Sequence, residues 1–199
     1  MLALLAGLTA GLIHVFSGPD HLAAVAPMAA DGDRDQWKTG LQWGVGHTAG
    51  VLLIGLLLLI VKERLPLETI SAHSEKIVGA ALMAVGGWGL WRAMRLGVTP
   101  HGHSHAHTRA SFAMGTIHGL AGSSHLFGVL PALALPTRAA SMLYLGGFGL
   151  GAILGMTAFA AAVGQVSARL GRRDPRSFRG LLYASSAAAL IVGGFWLVR

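Results

Sequence analysis

Paired histidines inside apolar stretches are the residues of this 199-residue chain best suited to chemistry. His14 and His21 lie seven residues apart, and His118 and His125 repeat that spacing. Seven residues at about 100° each return a helix to within about 20° of the same face, so we expect each pair to share one face. Asp20 precedes His21 and is the one carboxylate within the six apolar runs defined below.

The donor types favour a transition metal. Imidazole and carboxylate without sulfur suit Ni²⁺, Co²⁺ or Zn²⁺ better than Cu⁺, and the chain has no cysteine. Mg²⁺ and Ca²⁺ need more oxygen ligands than one aspartate supplies. Ionisable residues at membrane depth are costly, and they usually face a cavity or a partner. We therefore predict a metal site formed by His14, Asp20, His21, His47, His118 and His125.

A short histidine-rich stretch separates the third apolar run from the fourth. It contains His101, His103, His105 and His107 in strict alternation. Such tracts are typical of metal binding, so we predict an auxiliary metal-binding loop over residues 97–110. The alternative is a solvated or pH-sensitive loop.

The composition is that of a membrane protein. Hydrophobic residues make up 53% of the chain and charged residues 12%, whereas soluble domains carry about 25% charged residues. A net charge of +7 would suggest nucleic acid in a soluble chain, but here the basic residues lie between apolar runs and favour membrane orientation. No phosphate-binding G-x-x-x-x-G-K-[ST] loop is present, which excludes an ATPase of that kind, and G-x-S-x-G and H-E-x-x-H motifs are also absent. We expect neither an enzyme nor a nucleic-acid partner.

Six apolar runs are long enough to cross a bilayer, which takes about 20 helical residues. We place spans at 2–29, 40–61, 77–96, 111–136, 141–167 and 180–198. Ten of the fifteen lysines and arginines then fall at one end of the bundle, which the positive-inside rule assigns to the cytoplasm. Both termini are therefore predicted on the outer side of a cell inner membrane. The tryptophans are expected at interfaces or in packing: Trp37, Trp43, Trp88, Trp91 and Trp196.

The first and fourth spans repeat each other at an offset of 104 residues. Starting at Gly11 and at Gly115, both read G-x-I-H-x3-G-x2-H-L-x2-V-x-P. The second and fifth spans share G-x-G-x3-G at an offset of 105. Three spans per repeat require opposite insertion of the two halves. We predict an all-α polytopic membrane protein with inverted three-helix repeats at 1–96 and 111–199 and a substrate site at the midplane between them.

Both long runs contain helix-breaking residues. Gly18-Pro19 and Gly122-Ser123 are expected to break the first helix of each repeat midway, and Pro27 and Pro131 to break it again. Irregular backbone at membrane depth must line a cavity or be covered by protein.

The motif in the first two spans resembles that of the nickel/cobalt transporters and the urease-associated nickel permeases. Those families have H-x4-D-H in one membrane helix and G-H-[ST] in the next, and the counterparts here are His14, Asp20 and His21, then Gly46-His47-Thr48. Five residues rather than four separate His14 from Asp20, a spacing similar to the H-P-x2-G-x-D-H motif of hydrogenase- and urease-accessory permeases, although Val15 replaces the proline.

The resemblance implies secondary transport of Ni²⁺ or Co²⁺, with Zn²⁺ as an alternative substrate and no cofactor. It also implies delivery to a cytoplasmic metallochaperone or to urease or hydrogenase maturation factors. Asp20 favours uptake, whereas the histidine-rich loop favours efflux or handover, and uptake is the preferred direction. Two alternatives remain open: a sulfite-type anion exporter with histidines as proton carriers, and a membrane-embedded metalloenzyme with Asp20 as its base.

Overall fold

The computed structural model describes the backbone of residues 1–31, 35–61, 67–95, 104–120 and 123–198. Side chains are described for the same residues except 31, 55–61, 67–75, 104–108, 123–127, 173 and 175. Within these ranges the regular elements are all α-helices, which confirms the predicted all-α class. They are α1 (Leu2–Ser17), α2 (Pro19–Asp31), α3 (Gln36–Val61), α4 (Leu67–Arg95), α5 (Ser104–Leu120), α6 (Ser123–Ala134), α7 (Arg138–Arg173) and α8 (Pro175–Val198).

Three described helical stretches are long and apolar enough to cross a membrane: Lys76–Arg95, Arg138–Arg172 and Arg176–Val198. The pair Leu2–Ser17 and Pro19–Ala30 passes the same test when its two helices are taken as one bent span. A helix of 20 residues is about 30 Å long, which matches the hydrocarbon core. By length and composition, the chain is that of a membrane protein.

Polar residues mark the ends of the long helices. The Thr137 hydroxyl accepts a hydrogen bond from the Ala140 N–H at 3.2 Å and caps α7. Asp174 separates α7 from α8 and accepts from the Ser177 hydroxyl and the Arg176 N–H. These hydrogen bonds hold the pKa of the Asp174 carboxyl below its usual range, so the cap keeps its charge at neutral pH.

The first predicted helix break is confirmed. Helix α1 ends at Ser17, Gly18 is extended, and α2 leaves at an angle of 71°. In the second half α5 ends at Leu120 and α6 begins at Ser123, with residues 121 and 122 outside the described residues.

The expected second breaks at Pro27 and Pro131 were wrong. Helix α2 continues through Pro27, and α6 continues through Pro131. A proline removes only one intrahelical hydrogen bond, and membrane helices tolerate that loss where neighbouring groups compensate.

The histidine-rich stretch is partly helical. Helix α5 begins at Ser104, so His105 and His107 belong to a helix rather than to the predicted loop. Their side chains, and all of His101 and His103, lie outside the described residues.

Helices from the two halves of the chain pack closely in pairs. α1 lies against α7, α5 against α3, α4 against α8, and α3 against α7. A Cβ on Gly11 would overlap the carbonyl oxygen of Phe148, and a Cβ on Gly115 would overlap that of Trp43. Glycine at these two positions therefore permits direct backbone contact, as small residues do between membrane helices.

The basic ends of several helices lie together. Arg179 at the start of α8 donates from Nε to the Ala93 carbonyl at 2.8 Å and from Nη2 to the Met94 carbonyl at 3.3 Å, at the end of α4. The Ser167 hydroxyl near the end of α7 donates to the Ala30 carbonyl near the end of α2. These contacts place the ends of α2, α4 and α7 and the start of α8 at one end of the bundle, which is the end that the charge count assigns to the cytoplasm.

Candidate metal centre

The helix break at Gly18 builds the centre of the site. In a straight helix, His14 and His21 would be separated by about 10 Å along the axis. In the structure their ring centroids are 4.5 Å apart, and a 71° bend between α1 and α2 separates the two residues. The sequence analysis expected His14 and His21 to be close because they share one face of a continuous helix, and that reason was wrong. The two rings belong to different helices and meet at the bend between α1 and α2.

Glycine is required at that corner by close approach. A Cβ on residue 18 would overlap Nδ1 of His21 and lie 2.9 Å from Oδ1 of Asp20. The side chains of the site thus pack directly over the backbone of the break.

Asp20 links the two halves of the chain. The residue is 4% exposed, and its carboxylate accepts two hydrogen bonds, from His21 Nδ1 at 3.0 Å and from His118 Nε2 at 3.1 Å. His118 is 98 residues away in sequence and lies on α5. The carboxylate therefore holds an imidazole from its own half and one from the other half.

Helix α3 brings a further imidazole to the same place. His47 is fully buried, and its ring centroid lies 5.0 Å from that of His21, 5.7 Å from that of His14 and 6.0 Å from that of His118. We call Asp20 and the four histidines His14, His21, His47 and His118 the His/Asp cluster.

The His/Asp cluster contains two overlapping sets of metal-ligand atoms. One ligand atom from each of His14, His21 and His47 lies within 4.8 Å of the others, and the same holds for Asp20, His21 and His118. His21 belongs to both sets. Three convergent nitrogen or oxygen donors suit a borderline divalent cation such as Ni²⁺, Co²⁺ or Zn²⁺.

Two aromatic residues at the site were not recognised in the sequence as site residues. Trp43 is fully buried and stacks on His47 with ring centroids 4.9 Å apart, and Phe148 lies 5.2 Å from His14. Trp43 was expected in packing or at an interface. Its spacing of four residues from His47 was the available signal, because positions i and i+4 share a helix face. Phe148 could have been found from Trp43 through the repeat offset of 105.

The indole of Trp43 adds a donor to the site. Among the described residues, its Nε1 has no hydrogen-bond partner. A buried N–H donor that has no acceptor destabilises the folded protein. The oxygen of a water molecule bound to a metal ion could accept this hydrogen bond.

The structure does not describe the side chain of one predicted ligand, His125. His125 lies on α6, but its side chain is outside the described residues, as is that of Ser124. The structure thus brings together five of the six predicted site residues, and the role of His125 stays a prediction.

With the geometry of the site established, comparison with known proteins is informative. The chain is 36% identical over 200 residues to the chloroplast protein FOR GROWTH AND FERTILITY 2 of Arabidopsis thaliana, covering 94% of this chain and 54% of that protein. It is 34% identical over 206 residues to FOR GROWTH AND FERTILITY 1 of the same plant, covering 94% and 56%. The chain therefore spans about half the length of these two relatives.

The chain is also similar to a urease accessory protein. It is 29% identical over 174 residues to UreH of Bacillus sp. (strain TB-90), covering 79% of this chain and 74% of that protein. This similarity agrees broadly with the nickel-permease resemblance carried by His14, Asp20 and His21. No protein-family model and no solved structure matches the chain.

Proposed function

We propose that this protein is a secondary transporter of a divalent transition-metal ion, Ni²⁺ or Co²⁺, and that the ion passes through the His/Asp cluster. The observation that supports this most is the buried Asp20 carboxylate between imidazoles of both halves. A buried carboxylate is costly unless it is paired and hydrogen-bonded, and a cation beside it offsets that cost. Zn²⁺ is the alternative substrate by donor type.

Transport fits the site better than catalysis. The described part of the cluster has one carboxylate, and both of its oxygens accept hydrogen bonds from ring nitrogens. A metal-dependent hydrolase would need a general base in addition to the metal ligands. The similarity to an accessory protein rather than to an enzyme points the same way.

The architecture that we propose is six spans in two inverted repeats. Equivalent residues exchange their contacts between the halves: Gly11 lies against Phe148 as Gly115 lies against Trp43. His14 packs on Phe148 at 5.2 Å, and its equivalent His118 packs on Trp43 at 5.3 Å. Such exchange is expected when two repeats are related by a twofold axis in the membrane plane.

The third helices of the two halves follow the same rule. A Cβ on Gly79 of α4 would lie 2.9 Å from the carbonyl oxygen of Gly193 on α8, and a Cβ on Gly86 would lie 2.9 Å from that of Ser186. At an offset of 107, Gly79 corresponds to Ser186 and Gly86 to Gly193. The repeat therefore relates the residue pair Gly79–Gly193 to the residue pair Gly86–Ser186.

The site itself departs from this symmetry. Asp20 corresponds to Ser124 at an offset of 104, and His47 corresponds to Ala152 at an offset of 105. We propose that the first half supplies most of the ligands and that the second half contributes through His118 and His125.

Direction and delivery belong to the same proposal. The ion is taken up across a cell inner membrane toward the basic end of the bundle, with the termini outside. From the similarity to a urease accessory protein, we propose that the ion is handed to a cytoplasmic metallochaperone or to a urease or hydrogenase maturation factor. The histidine-rich stretch at 101–107 is the proposed auxiliary site for that transfer.

Radiolabelled Ni²⁺ flux into proteoliposomes of known orientation tests the proposal. We expect uptake above that of empty liposomes, competition by excess Co²⁺, and loss of uptake in His21→Ala at equal protein incorporation. Saturable sulfite flux without metal flux would instead identify an anion exporter. Metal-dependent hydrolysis without flux would identify an enzyme.

A further inference from the structure

We propose that a cavity between α3 and α7, distinct from the His/Asp cluster, binds the phosphate headgroup and adjoining acyl chain of an anionic phospholipid. The cavity has a volume of about 310 Å³ and lies where α3 begins and α7 ends. Its lining includes Gln36 and Trp37 from α3, and Arg169 and Arg172 from α7.

The polar end of the cavity suits a phosphate. Among the described residues that line the cavity, none is an aspartate or a glutamate. Within the part of the chain that the structure describes, neither Arg169 nor Arg172 forms an ion pair or a hydrogen bond. Two arginines one helical turn apart can present several N–H donors to one phosphate, and the amide of Gln165 adds a further donor.

The other end of the cavity lies deeper and is lined mainly by small residues of α7, with the Gln36 side chain close to Gly164. Ala161, Gly164 and Ala168 belong to the same lining face of α7, at the three- and four-residue spacing of one helix side. From Ala161 to Arg172 this face extends about 16 Å, whereas the polar layer of one leaflet is about 5–8 Å thick. The cavity therefore continues from the headgroup level into the hydrocarbon region, which suits a lipid better than a free anion.

Its position also favours a lipid. The cavity lies beside the apolar run of α7 and at the basic end of the bundle, which the charge count assigns to the cytoplasm. Anionic lipids give the cytoplasmic leaflet its negative surface. Trp37 is 43% exposed at the cavity edge, as is usual for tryptophan at a membrane interface.

The test is binding of defined short-chain lipids to the purified full-length protein in a neutral detergent, measured by native mass spectrometry and by thermal unfolding. The ligands are dioctanoyl phosphatidylglycerol, dioctanoyl phosphatidylcholine and inorganic phosphate. The double variant Arg169→Gln/Arg172→Gln removes the proposed phosphate donors. The double variant Arg95→Gln/Arg176→Gln is the matched control, since it removes two charges at the same end of the bundle but outside the cavity.

We expect phosphatidylglycerol to bind the natural protein and raise its unfolding temperature. Its affinity should fall roughly 30-fold in the Arg169/Arg172 variant and less than about threefold in the control. Ala161→Leu changes no charge but fills the deeper end, and it should weaken phosphatidylglycerol binding as well.

Three outcomes would overturn the proposal. Equal losses of phosphatidylglycerol affinity in both double variants would mean that the lipid is attracted to the positive charge of this end of the bundle in general and not to the cavity. Phosphatidylcholine carries the same phosphate together with a choline cation, so equal binding of this lipid would mean that the net negative charge of the headgroup is not recognised. A thermal shift by inorganic phosphate that matches that by the lipid, with no effect of Ala161→Leu, would mean a free-anion site. None of these results depends on metal transport, so the lipid site and the proposed function can fail separately.

Discussion

Replacing Asp20 by asparagine removes one negative charge and one hydrogen-bond acceptor from the His/Asp cluster. The asparagine keeps the size of the side chain and one acceptor oxygen, but its NH₂ group cannot accept from an imidazole as the second carboxylate oxygen does. Both carboxylate oxygens are used in the structure, at 3.0 Å and 3.1 Å from ring nitrogens. The substitution therefore removes both a charge and an acceptor that positions a ring.

The size of the effect follows from the charge. Two unit charges 4 Å apart attract by about 4 kcal/mol at an effective dielectric constant of 20, and a divalent ion increases that attraction. Relief of the cost of burying the carboxylate offsets part of the loss. We expect Ni²⁺ affinity to fall roughly 100- to 1,000-fold, or about 2.7–4.1 kcal/mol.

Isothermal titration with Ni²⁺ on chelator-stripped protein measures this change. Ser124→Ala is the matched control, because Ser124 corresponds to Asp20 in the second half, and we expect it to change affinity less than about threefold. His118→Ala and the double variant with Asp20→Asn complete a double-mutant cycle. Direct contact at 3.1 Å predicts a coupling energy of about 1–3 kcal/mol.

Additive losses in that cycle would refute the reasoning, because residues in contact at one site should not act independently. A greater loss in Ser124→Ala than in Asp20→Asn would also refute it. Metal-free thermal unfolding of each variant shows whether a loss comes from the site or from the fold.

The remaining predictions use the same preparations. His14→Ala and His21→Ala should each abolish Ni²⁺ flux at equal membrane abundance, and His21→Ala should cost more affinity because that ring belongs to both ligand sets; near-normal flux in both variants would exclude the site. Replacing the four histidines of 101–107 by serine should alter apparent affinity but leave flux measurable, whereas complete loss with intact folding would make that stretch part of the obligatory route. Ni²⁺ binding should weaken on acidification, because imidazole binds a metal only when neutral; a pH-independent titration would argue against histidine ligation. Gly115→Ala should destabilise the protein by roughly 1–3 kcal/mol, since its Cβ would overlap a backbone carbonyl of the neighbouring helix, while Gly146→Ala, with open space around it, should not; equal unfolding temperatures would contradict this packing.

The sequence was sufficient to find the five ionisable residues that the structure brings together, but not Trp43 and Phe148 beside them. Identity at a constant offset indicated that His14 and His118 are equivalent, and the structure places both at Asp20 or its neighbours. The break at Gly18 could also be predicted from the sequence. Glycine followed by proline interrupts a helix, and an unbroken helix of that length would be longer than the hydrocarbon core is thick.

Other features needed three dimensions. The meeting of His14 and His21 depends on a 71° bend, and a helical-face count cannot supply that angle. Helix α5 starts as early as Ser104, and α2 continues through Pro27. Both features depend on which neighbouring groups form hydrogen bonds with the backbone N–H and C=O groups. The spacing of Trp43 from His47 could have indicated a shared helix face, but its contact with His118 depends on the packing of α3 against α5.

The most direct test of the central claim is X-ray absorption at the nickel edge of the purified, Ni²⁺-loaded protein. If the His/Asp cluster binds the ion, the spectrum should show nitrogen and oxygen ligands, several of them imidazoles, and no sulfur. His118→Ala should reduce the imidazole contribution even though it lies in the opposite half of the chain from Asp20. A spectrum of hexa-aqua nickel, or one unchanged by both His21→Ala and His118→Ala, would contradict a metal centre shared between the two halves.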